Sequence, residues 1–398
     1  MAKDNRRDLI KLAAQAVKKN FKDSVSGTAD KELEFPGVWA STGSLALDRL
    51  CSGMNPGGVP MGPSMGRIIH IAGEWSTGKS LILDHLFKSV LVDLGGLAVC
   101  SETEGSRDPH FANGIGLPLP LLTIQRPATI EEMFDMFLEF HESVRKTDEE
   151  IPIIWGVDSL DSAEAGKSAD TGFSEGGGWK FGSGRAEALG AGLRRMALTC
   201  SRYPTTMVML NQVRENVGVM FGPKKRTPGG NPPHFYASLE IMLSSASRAG
   251  GSLVRSAVAL PDLTGEAKKR LGFAYLGENA GQVLGKYVKA KITKTKFAQT
   301  FDTTCDFYID FRRGVHKWEG LAERLMFEGL LKTGRDGASD FTMPGAPDAQ
   351  TFATKKDWLN YLAAGNNIDV LRLGTPAIQP QPETRETSDT TEETNDAA

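Results

Sequence analysis

The chain has 398 residues, 40% of them hydrophobic and 24% charged, enough for two or three domains of roughly 100–200 residues around a sizeable core. Its net charge of −3 is unevenly spread: the last 16 residues hold six acids and one base, a sum of −5, so the other 382 sum to +2, and a polyanion would have to be held by local patches instead of a global field. Four distant cysteines without a C-x-x-C, six scattered histidines, no long apolar run and a charged start, MAKDNRRDLIK, argue against a disulfide framework, a zinc site, a membrane span and a signal peptide; the expectation is a cytoplasmic α/β protein.

Residues 4–21 read as a short helix. Leu9, Leu12, Ala13, Ala16 and Val17 line one face and Arg6, Arg7, Lys11 and Lys18 the other. A Gly/Asp stretch, 22–34, detaches it, so its apolar face needs cover from its own body or from a neighbouring copy. From residue 66 the pattern becomes strand, turn, helix. Arg67–Ala72 is an apolar, β-prone run, followed by a Gly-rich turn and a helix over Lys79–Leu94. Leu97–Ser101 and Leu121–Ile124 are the next strands. Thr129 with Glu132 forms a capping box ahead of a helix whose apolar face is Ile130, Met133, Phe134, Phe137 and Leu138. Ile151–Val157 is a continuous apolar strand suited to the middle of a parallel sheet. Gly184–Cys200 reads as helix and Thr205–Leu210, Leu239–Leu243, Tyr287–Ile292 and Asp306–Phe311 as strands. Such alternation implies right-handed crossovers, a mostly parallel sheet and ligands beyond its carboxyl ends.

Gly73-Glu74-Trp75-Ser76-Thr77-Gly78-Lys79-Ser80 fits G-x-x-x-x-G-K-[ST] between an apolar strand and a helix, the context that gives the motif its mechanism. Its backbone N–H groups can wrap phosphates at a helix N-terminus. Lys79 would reach the β/γ-phosphates of ATP and Ser80 would ligate Mg²⁺. Asp158 ends the Ile151–Val157 run; a carboxylate there suits a second Mg²⁺ anchor, although a helix N-cap is an alternative. Glu102 and Glu104 follow Leu97–Ser101, and either could orient and deprotonate an attacking water. Spacing does not choose between them.

Three stretches break the alternation. Residues 166–183 are Gly-rich and interleave Trp179, Lys180 and Phe181, with Arg185 beyond, as single-strand binders do, or as an aromatic loop packed on itself would. Residues 213–233 combine Gly, Pro and basic residues. Residues 244–285 are weakly periodic. Lys286, Lys289, Lys291, Lys294 and Lys296 lie within 11 residues without an acid, a solvated run or a nonspecific nucleic-acid contact. On a strand, 289 and 291 share one face and 286, 294 and 296 the other. Helical runs near Leu321–Leu331 and Lys356–Ala364 suggest a small C-terminal unit before a Pro/Thr/Glu tail.

These residues resemble the RecA family of homologous recombinases, in a bacterial-type or phage-encoded form, over roughly residues 40–315. The resemblance is carried by Thr42–Asp48, by Gly57-Gly58-Val59-Pro60-Met61-Gly62, and by Glu102-Thr103-Glu104 with Asp108-Pro109. Its most specific part is Leu210-Asn211-Gln212-Val213-Arg214, then Gly218–Gly222, Gly229-Gly230-Asn231 and Phe235–Ser238. The fold it implies is α/β: a P-loop NTPase core with a mostly parallel central sheet, an N-terminal oligomerisation helix and a small C-terminal α/β domain. The corresponding units are 1–35, 36–318, 319–370 and an acidic tail, 371–398.

The resemblance also assigns roles. Glu104 becomes the catalytic glutamate and Phe111 the aromatic against adenine. Gln212 becomes the γ-phosphate sensor, at the root of a DNA-binding loop carrying Arg214, Val217, Met220, Phe221, Gly229, Gly230 and Asn231. Lys289 and Lys291 become trans-acting cations that reach the ATP of an adjacent subunit. The segment with Trp179, Lys180 and Arg185 takes the place of a first DNA-binding loop. The implied activity is ATP–Mg²⁺-dependent filament formation on single-stranded DNA, with homologous duplex DNA as second partner and strand exchange as outcome. Single-strand-binding and loader proteins are further implied partners. The competing readings are a ring-shaped helicase motor with the same core and a non-enzymatic single-strand-binding module.

Overall fold

The structure, a computed structural model, describes residues 38–52, 62–105, 107–162, 165–166, 181–215, 225–226, 229–247, 251–255, 283–296, 303–311, 313–327, 341–342 and 351–352, with positions 12, 13, 15 and 19 near the N-terminus. The expectations for the 53–61 turn, for Trp179 and Lys180, for Val217, Met220 and Phe221, for Lys356–Ala364 and for the tail lie outside the described residues.

A short helix, α1 (Leu45–Ser52), precedes β1 (Ile68–Gly73). Then follow α2 (Lys79–Lys88), β2 (Leu97–Glu102), α3 (Pro109–Gly114), β3 (Leu122–Gln125), α4 (Ile130–Arg145) and β4 (Ile153–Asp158). Helix α5 (Phe181–Arg202) leads to β5 (Thr205–Gln212), and a ribbon of β6 (Arg214–Glu215) and β7 (Lys225–Arg226) to α6 (Pro232–Tyr236). Strands β8 (Leu239–Ser245), β9 (Leu253–Arg255), β10 (Val283–Thr295), β11 (Thr304–Asp310) and β12 (Gly314–Val315) follow. Helix α7 (Leu321–Phe327) and a small pair, β13 (Phe341–Thr342) and β14 (Thr351–Phe352), complete the described elements.

Ten strands form one sheet in the order β12-β11-β10-β8-β1-β5-β4-β2-β3, with β9 beside β10. The run from β8 through β1, β5, β4 and β2 to β3 is parallel, while β10, β11, β12 and β9 extend it antiparallel. The expected strands are all present. The most changed is the lysine-rich one: β10 runs 13 residues, well beyond Tyr287–Ile292, because apolar Val288, Ala290 and Ile292 alternate with lysines and so mark only its buried centre. A register shift between Ile292 and Lys294 ends that alternation, so the expected facing of Lys294 and Lys296 does not carry across it. The expected Lys79–Leu94 helix is α-helical only to Lys88 and passes into a π-helical turn at Ser89–Asp93.

The sheet is covered on both faces. On one, Ile82, Leu83, Leu86 and Phe87 of α2 pack on Ile69, Ile71, Ile154, Val208 and Leu210. On the other, α4 and α5 pack on Val99, Trp155, Met207 and Met209. The Trp155 ring stacks on Phe137 at 4.2 Å, and its indole N–H donates to Ser101 Oγ at 2.9 Å, which satisfies the polar tip of a fully buried side chain. Thr129 Oγ1 accepts from the Glu132 N–H at 3.1 Å, and Glu132 reaches back to the Ala128 N–H at 2.6 Å, so the capping box closes one residue earlier than the standard form.

His85 on α2 ties the far edge of the sheet to this core, since its Nε2 accepts from the Val315 N–H at 3.1 Å. Burial, and then the nearby Lys88, lower its pKa to about 4. An unfolded histidine titrates near 6.5, so this contribution to stability is full above that pH and is lost as pH falls toward 4. Asp48 acts in the opposite sense, because burial raises its carboxyl to about 6 against hydrogen bonds from Ser41 and Thr42, and its protonation favours the fold as pH falls. The His85 share is isolated by His85→Gln, whose amide can still accept from Val315. Urea unfolding at pH 7 and pH 5 should show wild type losing about 2 kcal/mol more than the variant; equal losses would remove His85 from the account.

Candidate functional site

Strand β1 is buried along its length and ends at Gly73, where the chain turns sharply into α2. A Cβ on Gly73 would lie 2.7 Å from the Leu243 carbonyl oxygen and 2.9 Å from Thr77 Oγ1, so only glycine fits. Gly78, at the N-cap, has φ 82°, and Ser76 is the one described non-glycine residue with positive φ, at 56°. Thr77 Oγ1 donates to the Glu74 carbonyl at 2.7 Å, and Lys79 Nζ donates to the Gly73 and Glu74 carbonyls at 3.2 and 2.8 Å. Helix α2 has no side-chain cap and no acid in its first turn. Its N–H groups and the Lys79 ammonium therefore converge on one anion-binding cradle.

The parallel register sets the neighbours of this cradle. Gly73 pairs with Gln212 across β1 and β5, Val157 with Met209 across β4 and β5, and Asp158 with Glu102 across β4 and β2. The carboxyl edge thus presents the Gly73–Ser80 loop, Gln212, Asp158 and the Glu102–Glu104 segment in order. Burial pushes the Asp158 carboxyl above the usual range; a hydrogen bond from Ser80 and the charge of Arg107 draw it back, and Glu104 and Glu102 push it further up. Ser80 and Asp158, from separate elements, therefore face one another across the carboxyl edge. A hydroxyl beside one carboxylate suits Mg²⁺ carried in with phosphates, since Mg²⁺ takes few protein ligands and keeps several waters.

The two glutamates that spacing left equivalent differ in their partners. Glu102 is 7% exposed, accepts from the Arg107 N–H at 3.1 Å and lies 3.6 Å from Arg126. Glu104 is exposed, and its Oε1 accepts from Ser159 Oγ at 2.5 Å, immediately beyond Asp158. Thr103 bridges the same strands, its Oγ1 donating to the Ser159 carbonyl at 2.8 Å. Phe111, on α3, packs half-buried against the α2 side of the core.

Arg107 is a site residue that sequence reasoning missed. Its guanidinium pairs with Asp84 of α2, lies 3.7 Å from Asp158 and 3.3 Å from Cys100 Sγ, and covers the Phe87 ring at 5.6 Å. The available signal was Asp84, an acid on the apolar face of α2 that requires a buried cation.

Beyond Gln212, the Val213 N–H donates to the Gly73 carbonyl at 3.1 Å, so the 213–230 segment leaves directly from the cradle. At its base β6 and β7 pair antiparallel, with Arg214 opposite Arg226 and Glu215 opposite Lys225. Gly229 and Gly230 have φ 90° and 72°, and a Cβ on Gly229 would meet Leu189 of α5 at 3.2 Å. Asn231 then occupies the N-cap position of α6. Arg185 donates to the Leu160 carbonyl, tying α5 to the turn after β4. Lys289 and Lys291 alternate with Val288, Ala290 and Ile292, which pack on the α2 face; the two lysines therefore project from the opposite face. Lys286 donates to the Ser76 carbonyl at 3.1 Å and Lys294 to the Phe235 carbonyl at 2.8 Å.

The family model of the RecA N-terminal domain matches residues 8–254, from the N-terminal segment through β9. Among curated proteins, Protein RecA of Lactobacillus acidophilus is 28% identical over 304 residues, covering 76% of this chain and 70% of that protein. Protein RecA of Bacteroides thetaiotaomicron is 29% identical over 316 residues, 79% of this chain and 81% of that protein. Protein RecA of Mesomycoplasma hyopneumoniae strain 7448 is 28% identical over 324 residues, 81% of this chain and 82% of that protein.

Removing the Arg107 cation leaves Asp84 buried without its partner. Arg107→Met should destabilise the fold by about 3 kcal/mol in chemical denaturation, and adding Asp84→Leu should restore most of it, because the pair, not the volume, is what fails. A single variant as stable as wild type would reject the bridge.

Proposed function

This chain belongs to the RecA family, and from that premise we propose that it is an ATP hydrolase that assembles on single-stranded DNA as a helical filament and pairs it with homologous duplex DNA. One observation carries the reading: Gln212 pairs with Gly73 at the mouth of the cradle and is also the last residue before the basic 213–230 segment. A side-chain amide there can bond a γ-phosphate or lose it, and so bias the segment it anchors between two states.

The roles follow the geometry. Backbone N–H groups of Gly73 to Ser80, with Glu74, Trp75, Ser76 and Thr77 shaping the turn, would hold the phosphates. Lys79 would neutralise the β/γ-oxygens, and Ser80 with Asp158 would hold Mg²⁺, which when bound offsets phosphate charge. Glu104, open to solvent beside Ser159, would orient water and accept its proton; Glu102 is committed to Arg107 and Arg126. Phe111 would lie against the base. Lys289 and Lys291, on the face away from α2, would act on the nucleotide of an adjacent subunit.

Arg214, Gly229, Gly230 and Asn231, with Val217, Met220 and Phe221 between them, would hold the polynucleotide. Trp179 and Lys180 would add a second contact positioned by Arg185. Two arginines at facing ribbon positions disfavour the ribbon alone, and a polyanion would offset this. The exposed Leu12, at 68% on the N-terminal helix, supports subunit packing through residues 1–35. Residues 36–318 would be the motor, 319–370 a small C-terminal domain and 371–398 an acidic tail competing with DNA for basic surface. A ring helicase would move along DNA instead; the Lys289/Lys291 pair and the Gln212-rooted segment favour pairing. Assembly in a reducing, cytoplasmic setting fits four buried free cysteines.

Glu104→Gln should lower single-strand-stimulated ATP hydrolysis by about 100-fold or more while leaving ATP-dependent filaments visible by electron microscopy; full hydrolysis would reject the assignment. Lys79→Ala and Lys289→Ala should each be inactive alone. Mixed in equal amounts they should recover activity at roughly a quarter of the interfaces, as head-to-tail contacts between different copies require. No recovery in co-assembled filaments would reject action in trans.

A further inference from the structure

Glu240 sits on β8 inside the sheet, 6% exposed, directly across from His70 on β1 and Lys294 on β10. It accepts from Thr293 Oγ1 at 2.5 Å through Oε1, and its Oε2 lies 3.1 Å from His70 Nδ1 and 2.8 Å from His234 Nδ1. His70, on β1 and 1% exposed, continues the chain: its Nε2 lies 3.3 Å from the Asn211 side-chain nitrogen. These partners assign the His70 tautomer, with Nδ1 protonated toward Glu240 and Nε2 accepting from Asn211. Burial alone would push the Glu240 carboxyl up, but the bonds from His70, Thr293 and His234 hold it at about 2, so it is a permanent buried anion.

The ends of this chain of bonds are informative. Asn211 directly precedes Gln212. His234 lies in α6, the helix onto which the 213–230 segment closes. Thr293 is on β10, the strand of Lys289 and Lys291. One anchor of the segment through His70, the other through His234, and the strand of the proposed trans-acting lysines through Thr293 are thus linked to one carboxylate. Apolar packing would hold the same strands with a less specific geometry, whereas each bond here has a direction and a partner that must be satisfied.

Resting on the function proposed above, we propose that Glu240 is a positioning residue: the Asn211–His70–Glu240–His234 chain holds α6 in register with the Gln212 end of β5, and so transmits nucleotide state to the closing side of the DNA-binding segment. Movement of Gln212 displaces Asn211, and the displacement reaches α6 through two hydrogen-bonded side chains instead of through the segment itself.

The test uses the full-length protein and a fluorescent oligothymidylate, with affinity measured in ADP and in a nonhydrolysable ATP analogue. The ratio of the two affinities is the readout. Glu240→Gln should bring it about tenfold closer to unity, with affinity for the analogue within about twofold of wild type. His234→Ala removes an exposed partner, folds more safely and should act in the same direction. Asn211→Ala combined with His234→Ala should be non-additive although the two residues do not touch, as members of one network are. A merely structural role would lower the melting temperature and leave the ratio alone. A large wild-type ratio kept by both single variants would overturn this inference only. A wild-type ratio of one would overturn the functional reading, and the inference with it.

Discussion

The pairing of β1 with β5 in parallel register puts Gln212 beside Gly73, and every other feature of the site is arranged around that adjacency. Parallel pairing brings the carboxyl ends of β8, β1, β5, β4, β2 and β3 to one edge, so residues remote in sequence become neighbours without any special loop. Because β5 lies between β1 and β4, Asp158 is one strand further from the cradle than Gln212, and Ser80 at the start of α2 faces it from the cradle side. A slip of one residue in either pairing would turn these side chains to the other face. The buried apolar residues on both faces of β1, β4 and β5 make such a slip costly, and thus fix the chemistry through the core.

The edge is acidic, with Glu102, Glu104 and Asp158 close together, and the fold assigns each a different fate. Glu102 accepts from the Arg107 backbone N–H and lies beside the Arg126 cation, and Asp158 lies 3.7 Å from the Arg107 guanidinium. Glu104 alone of the three remains exposed. Identical chemistry is differentiated by neighbours, which leaves one carboxylate open to solvent beside two that are paired. Arg107 makes this separation possible, since without a buried cation the acids would repel one another and Asp84 would be left as an uncompensated charge.

Much of this was legible in the sequence for identifiable reasons. The apolar runs from Arg67 and Ile151 could only be central strands, and the Gly73–Ser80 pattern has meaning once a strand precedes it and a helix follows. Thr129 and Glu132 marked a helix start by capping chemistry. What could not be read was anything requiring tertiary pairing. Glu102 and Glu104 are two residues apart on a strand end, and only their neighbours separate them. Arg107 stands in a polar stretch where nothing local marks it for burial, and His70 and Glu240 look like ordinary interruptions of apolar strands. β10 exceeds its expected span because apolar Val288, Ala290 and Ile292 mark only its buried centre, and the register shift after Ile292 ends their alternation.

The arrangement also explains how a nearly neutral body could hold a polyanion. Lys289 and Lys291 project from the face away from α2, so one subunit would present its cradle and its lysines in different directions. Under the proposed function each is completed only by a neighbour, and a head-to-tail contact that does not close into a ring extends without limit. Repetition then does what net charge does not: each copy adds one basic ribbon along the strand, and weak local patches sum because they are linked. Assembly and grip would then be the same event, with the nucleotide where two copies meet, at the root of the segment proposed to touch DNA.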